Sequence, residues 1–160
     1  MEIIITAATI MAMYLNTTAN SRSSFAYNAD IENNQVKTMY VMNDNHGTLS
    51  NRLQYHYEYD ELGRLKSRIT LRANAFSNQN MPTERLDYQY DTEGYTLTRS
   101  TWNRQKQCFN RPESRICYRQ ATPQVMSVLS YQLDKKSNSM LMTDQMLAMN
   151  GRSDNWVNNG

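Results

Sequence analysis

Tyrosine is the residue type with most to offer chemically in this chain, which holds eleven of them among 160 residues. Tyr55, Tyr57 and Tyr59, and again Tyr88 and Tyr90, occupy alternate positions, so in extended backbone each set falls on one face. A planar ring with a hydroxyl tip can stack on a sugar or anchor a protein partner, and it can equally form the covered face of a sheet. The carboxylates offer less. Asp44, Asp60 and Asp91 each stand three residues before a glycine, and Asn43-Asp44-Asn45-His46-Gly47 superficially resembles an oxygen-ligand loop. The regular acidic spacing and distal Glu of a calcium cage are missing, so turn capping is the better account of all three. Glu58 and Asp87 are the pair that a glycan hydrolase would need to bring into one pocket.

The remaining reactive types have plainer readings. Met140, Met142, Met146 and Met149 could ligate Cu(I), but thioethers more often fill gaps at the end of a sheet. The only histidines are His46, at an expected turn tip, and His56, on an expected charged face. No glycine-rich phosphate loop, nucleophile elbow or His-Glu-x-x-His motif is present. The sequence therefore reads as non-enzymatic, with no cofactor or metal implied. Cys108 and Cys117 flank a stretch that looks like the sides and tip of a hairpin. A disulfide across that pair and two half-buried thiols are both open readings. Neither Cys-x-x-Cys nor zinc spacing occurs.

Composition narrows the partners. Seventeen Lys and Arg against fifteen Asp and Glu leave a charge of +2 with no basic arm, which argues against nucleic acid. Ile3 to Leu15 is an uncharged apolar run, too short for a transmembrane helix of about 20 residues. It matches the core of a secretory signal ending near Ala19, although Met1-Glu2 supplies no positive start. The alternative is a buried apolar segment. The expected organisation is a signal over 1–19, a polar segment over 20–37, and a β-hairpin domain over 38–160 with a degenerate last unit. An exported, periplasmic or extracellular location follows.

Internal repetition governs that domain. Tyr57-Glu58-Tyr59-Asp60-Glu61-Leu62-Gly63 recurs thirty-one residues later as Tyr88-Gln89-Tyr90-Asp91-Thr92-Glu93-Gly94, and Asp44 to Gly47 repeats the turn alone. Three of the five glycines thus end an Asp-x-x-Gly turn, the composition of a hairpin with a three-residue loop and a bulge. A three-residue loop at Glu61 to Gly63 predicts that Tyr59 faces Leu65, Tyr57 faces Ser67 and Tyr55 faces Ile69. Glu58 then meets Lys66 and His56 meets Arg68 on the other face, which sorts apolar from charged. The same rule pairs Asp87 with Arg99 and Tyr88 with Thr98. From Ser139 to Asn150 helix and strand are not distinguished.

Tyr57-x-Tyr59-Asp60-x-x-Gly63-Arg64-Leu65 resembles the YD repeat of bacterial RHS-type surface and toxin-shell proteins. The whole chain resembles small uncharacterised exported proteins of gut bacteria. These continue from a signal into Ser-Phe-Ala-Tyr-Asn, here Ser24 to Asn28, and alternate YD-like with Trp-Asn hairpins, here Trp102-Asn103. RHS shells need dozens of repeats, so that resemblance implies hairpins and not a closed cage.

The expected architecture is all-β: an antiparallel meander of about eight strands that curls, gains a second layer or self-associates to cover its Tyr/Leu face. The expected function is binding or structural, with a protein or glycan of the cell envelope as partner. A glycan-active protein and an edge-to-edge assembling subunit are the alternatives.

Overall fold

The computed structural model describes residues 10–12, 25–74 and 79–149. Ten strands form one open antiparallel sheet: β1 (Phe25–Glu32), β2 (Gln35–Asn45), β3 (Thr48–Tyr59), β4 (Leu65–Ala73), β5 (Asn80–Tyr90), β6 (Gly94–Asn103), β7 (Cys108–Phe109), β8 (Ser114–Thr122), β9 (Val125–Asp134) and β10 (Ser139–Met149). Each strand pairs with the next, except that β7 folds back only on β6 and β8 takes the other part of β6. The meander is therefore as expected, with more strands. Residues 20–37, expected as a polar lead-in, include β1 and the turn into β2. The ambiguous segment after Ser139 is the edge strand β10. Among the described residues no helix is long and apolar enough to cross a membrane.

Local chemistry sets the turns. Asn33 and Asn34 both take positive φ, as do His46 and Gly47, which gives tight two-residue hairpin loops whose twist matches the strands. At Asp60 the expected three-residue loop forms: its carboxylate accepts from the backbone N–H groups of Leu62 and Arg64, and its own N–H bonds the Arg64 carbonyl at 2.8 Å. Asp44 and Asp91 cap their turns in the same manner. The Asp91 turn is shorter, because Tyr90 already pairs with Tyr95. Gly94 starts β6 where the backbone of β8 passes so close that a Cβ would run into the Tyr118 carbonyl.

Register is where sequence expectation needs correction. Tyr59 pairs with Leu65 as expected, but Lys66 then bulges out, so Glu58 pairs with Ser67, Tyr57 with Arg68, His56 with Ile69 and Tyr55 with Thr70. Arg68 and Arg72 consequently lie on the tyrosine face and not opposite it. In the second copy the shorter loop pairs Asp87 with Thr98 and Tyr88 with Leu97. Arg68 on the tyrosine face is matched in charge: Glu84 lies 3.4 Å from it and 2.5 Å from Arg99. Pro82, which has no N–H to donate, sits beside a bulge whose Thr83 hydroxyl bonds the Thr70 carbonyl.

Buried apolar side chains are concentrated on the tyrosine face of β2 to β4, while the small polar Ser67, Thr98 and Ser100 are buried on the other face. Val36, Met39, Tyr57 and Leu65 form one core cluster, joined by Ile10 from a helical turn at residues 10–12. Tyr27, Ala29, Tyr55, Tyr59 and Tyr88 pack around it. Each such aliphatic side chain contributes about 2 kcal/mol. Two phenols lock the layer laterally: Tyr59 donates to the Val36 carbonyl at 2.9 Å and Tyr90 to the Leu65 carbonyl at 2.8 Å.

The glycines separate two costs. Gly94→Ala is expected to lose about 2 to 3 kcal/mol, the cost of overpacking against fixed backbone. Gly47→Ala, with open space around it but φ of +92°, should lose about 1 kcal/mol from left-handed strain alone. Urea unfolding midpoints of the two variants check that order, and equal losses would contradict it.

Candidate functional site

The tyrosine face continues past the core into a cleft at the end of the sheet that carries the Asp60 and Asp91 turns. Its volume is about 750 Å³, and its lining includes Arg64, Tyr90, Tyr95, Gln120, Met126 and Ala148. Cross-strand pairing explains how these meet. Tyr90 lies opposite Tyr95, Tyr95 opposite Tyr118, Tyr118 opposite Val128, and Gln120 opposite Met126, which in turn faces Ala148. One row of the sheet thus carries aromatic rings from β5 to β8 and aliphatic side chains on β9 and β10.

The rings form a stacked ladder. Tyr95 lies over Tyr118 with centroids 4.4 Å apart and planes 15° apart, and it also contacts Tyr88 at 6.5 Å and Tyr90 at 6.0 Å. The Arg64 guanidinium covers the Tyr90 ring at 4.5 Å, while its Nε is held 2.8 Å from Asp60. Arg119, between Tyr118 and Gln120 on β8 and so directed to the other face, ties the backbone behind the ladder. It donates to the carbonyls of Tyr95 and Tyr118 at 3.0 Å and to the Thr96 hydroxyl at 2.9 Å, and it pairs with Asp91 at 3.1 Å. Glu93 stands at 4.0 Å from the same guanidinium. The carboxylates at the cleft therefore serve turn and cation.

The five tyrosines singled out in the sequence share one face, with different roles. Tyr57 is core, at 7% exposed. Tyr55 lies beneath Arg68, 4.9 Å from the ring centre to the guanidinium. Tyr59 bonds β2, Tyr88 packs between core and ladder, and Tyr90 alone lines the cleft. Tyr95, Tyr118, Arg64 and Gln120 escape sequence reasoning as site residues. Their signals are present: Tyr95 replaces the Arg of the first repeat, and Tyr118 follows Tyr88 by thirty positions.

Other candidates lie elsewhere. His56 sits 3.2 Å from Gln54, and His46 occupies a turn tip. Glu58 accepts from the Ser67 hydroxyl, and Asp87 pairs with Arg85, both on the face away from the cleft. Cys108 and Cys117 are free thiols. They are not partners across a hairpin, because Cys108 pairs with Asn103 on β6 while Cys117 stands between Thr96 and Leu129. No group of three or more His, Cys, Asp or Glu able to hold a metal occurs among the described residues.

Burial pushes the phenols of Tyr90 and Tyr95 up to about 12, with neighbouring tyrosines adding to the shift. Both stay neutral across the physiological range. Because the folded-state values lie above the ordinary 10, their stabilisation is complete below pH 10 and is lost as pH rises toward 12. Ultraviolet titration should show late-ionising tyrosines whose ionisation coincides with alkaline unfolding. Replacing Tyr95 by Phe should remove one of them; an unchanged late phase would contradict its assignment.

Comparison with known proteins adds family and fold. The model of a family described as "Family of unknown function (DUF3836)" matches residues 1–120. A solved structure of a protein with unknown function from Bacteroides fragilis is similar, with a TM-score of 0.71 and 21% identity over 81% of this chain and 96% of that one. A DUF3836 family protein from Parabacteroides distasonis aligns at 16% identity over 80% of this chain and 92% of that one, with a TM-score of 0.41. Curated proteins give no match. The likeness to the Bacteroides structure extends to the fold, and the match over residues 1–120 shows that the chain belongs to the DUF3836 family.

Proposed function

We propose that this is an exported, non-enzymatic binding protein of the cell envelope whose cleft takes a glycan. The observation that carries this reading is the cleft itself: about 750 Å³, with two neutral tyrosines beside Arg64, Gln120 and Gln124. Apolar ring surface next to amide and guanidinium donors suits a sugar, which has weakly polar C–H faces and a rim of hydroxyls. Export is supported by the apolar run ending before Ala19. Fractionation of the producing cells should recover the chain outside the cytoplasm with Asn20 as its first residue. Oligosaccharides released from the same cells should shift backbone resonances of Tyr90, Tyr95, Gln120 and Met126, and a double Gln120→Ala, Gln124→Ala change should weaken binding at least tenfold. Intact cytoplasmic protein would overturn export, and shifts scattered over the sheet would overturn the cleft.

A second reading, self-association, is favoured by β10. This edge strand, paired only with β9 among the described residues, exposes Leu141, Met142, Met146, Leu147 and Met149, each by more than half. Light scattering over a concentration series should then show dimers or larger species that Leu147→Lys and Met142→Lys disperse. A monomer at every concentration would dispose of this reading.

A further inference from the structure

Two turns at the end of the sheet away from the cleft are built alike. Asn103 and Asp134 stand thirty-one residues apart, the interval between the two Tyr-x-Tyr-Asp copies, and each opens one of them. The Asn103 side-chain oxygen accepts from the N–H groups of Gln105 and Lys106, both at 3.0 Å. The Asp134 carboxylate accepts from those of Lys136 and Ser137, at 3.1 and 2.9 Å. The fifth residue of each turn, Gln107 or Asn138, takes positive φ, 51° and 55°. So held, one turn presents Arg104 and Lys106 and the other Lys135 and Lys136, all four exposed. Arg111, at the corner between β7 and β8, donates to the side-chain oxygen and the carbonyl of Asn138, which ties that corner to the β9–β10 turn.

These five cations are not neutralised locally. Ion pairs among the described residues use Arg64, Arg68, Arg85, Arg99 and Arg119. The carboxylates nearby have other partners: Asp134 caps its turn, and Glu113 accepts from the Thr101 hydroxyl and stands 3.9 Å from Arg99. The cleft end carries no such excess. There Asp60 and Asp91 match Arg64 and Arg119, and Glu32, Glu61 and Glu93 offset Lys37 and Lys66. The sequence has no basic run, because only the pairing of β8 with β9 brings the two cation pairs to one place.

We propose that this end of the sheet docks on an anionic lipid surface and leaves the cleft, at the far end, facing solvent. Exposed lysine and arginine are drawn to such a surface over about one Debye length, ~8 Å, so the tips of neighbouring turns act together without standing level. The side-chain caps and the Arg111 clamp already hold the turns, so docking has little backbone left to order. Turn tips are convex, whereas a chain-like polyanion is held best in a groove that tracks it. The uneven charge also fixes orientation, since the positive excess lies at one end only. Docking requires neither the glycan nor the export reading.

The test is co-sedimentation of the full-length protein with lipid vesicles. Phosphatidylcholine vesicles containing about one-third phosphatidylglycerol should bind it at least tenfold more tightly than phosphatidylcholine alone. Raising salt from about 0.05 M to about 0.5 M should abolish that difference. Lys106→Glu with Lys135→Glu should abolish it too. Lys66→Glu with Arg115→Glu, which makes the same charge change at exposed positions elsewhere on the sheet, should keep it. Circular dichroism checks that both variants fold. Equal binding to the two kinds of vesicle, the behaviour of an inserted Ile3 to Leu15 run, or equal loss in the two double variants, overturns the docking end. In bicelles of the same lipids, a nitroxide-bearing lipid should broaden the backbone resonances of Lys106 and Lys135 and leave Tyr90 and Tyr95 sharp; the reverse overturns the orientation. Retention on dextran sulfate without vesicle binding overturns the lipid surface and assigns the cations to an anionic glycan. Oligosaccharides that fail to enter the cleft would sink the glycan reading alone, since no vesicle measurement depends on it.

Discussion

The bond from a phenol to the backbone of the preceding strand is the interaction on which the tyrosine face depends. Tyr59 and Tyr90 hold the same place in the two Tyr-x-Tyr-Asp repeats, and each donates to a carbonyl one strand back, Val36 on β2 and Leu65 on β4. A neutral hydrogen bond contributes only about 1 kcal/mol net. Its larger effect is geometric, since it makes the ring lie along the sheet, where the neighbouring ring or cation can stack on it. Lys37 lies 5.3 Å from the Tyr59 ring and Arg64 4.5 Å from the Tyr90 ring, the same arrangement in both units. With the rings laid down, the first unit contributes to the core and the second contributes to a cleft.

That division follows from what stands beside each unit. Next to the first repeat, β2 supplies Val36 and Met39, and the face closes. Beside the second, β6 and β8 supply Tyr95 and Tyr118, and the row ends in the smaller or flexible Met126 and Ala148. Aromatic rings cannot fill that space as methyl groups would, so a cleft persists at the end of the sheet. The charged Arg68, Glu84 and Arg99 chain lies further along the same face, where mutual pairing holds the guanidinium groups with their carboxylate. A half-exposed ion chain of this kind contributes little to stability, but it marks where apolar burial ends.

The turns, the meander and the shared face of five tyrosines were legible because each rests on local chemistry: aspartate and glycine at fixed offsets, and side chains alternating with period two. Register was not legible, because bulges decide it. Extra residues interrupt the pairings of β1 with β2, β2 with β3, β3 with β4, β4 with β5, β8 with β9 and β9 with β10. A bulge costs the sequence no characteristic residue. Lys37, Arg52 and Lys66 occupy three of them, and Arg52 and Lys37 use the altered direction to cover the rings of Phe25 and Tyr59. Nothing in a lysine between Leu65 and Ser67 announces that Arg68 will turn toward the tyrosines. The cleft was hidden for a related reason, since its residues come from the turn before β4 and from β5, β6, β8, β9 and β10, and meet only after every register is set.

An open sheet of ten strands has more face than its own side chains can cover. In this chain the deficit is uneven. Burial is complete near Val36 and Met39, partial along the ring ladder, and nearly absent on β10. Apolar surface left at a defined place on a rigid sheet is surface another molecule can use, whereas the same area spread over a mobile loop would be costly to order. The gradient thus leaves two exposed places of different chemistry: a cleft mixing rings with amide and guanidinium groups, and an edge strand of aliphatic and thioether side chains. Each is the physical consequence of a meander that neither closes into a barrel nor gains a second layer among the described residues.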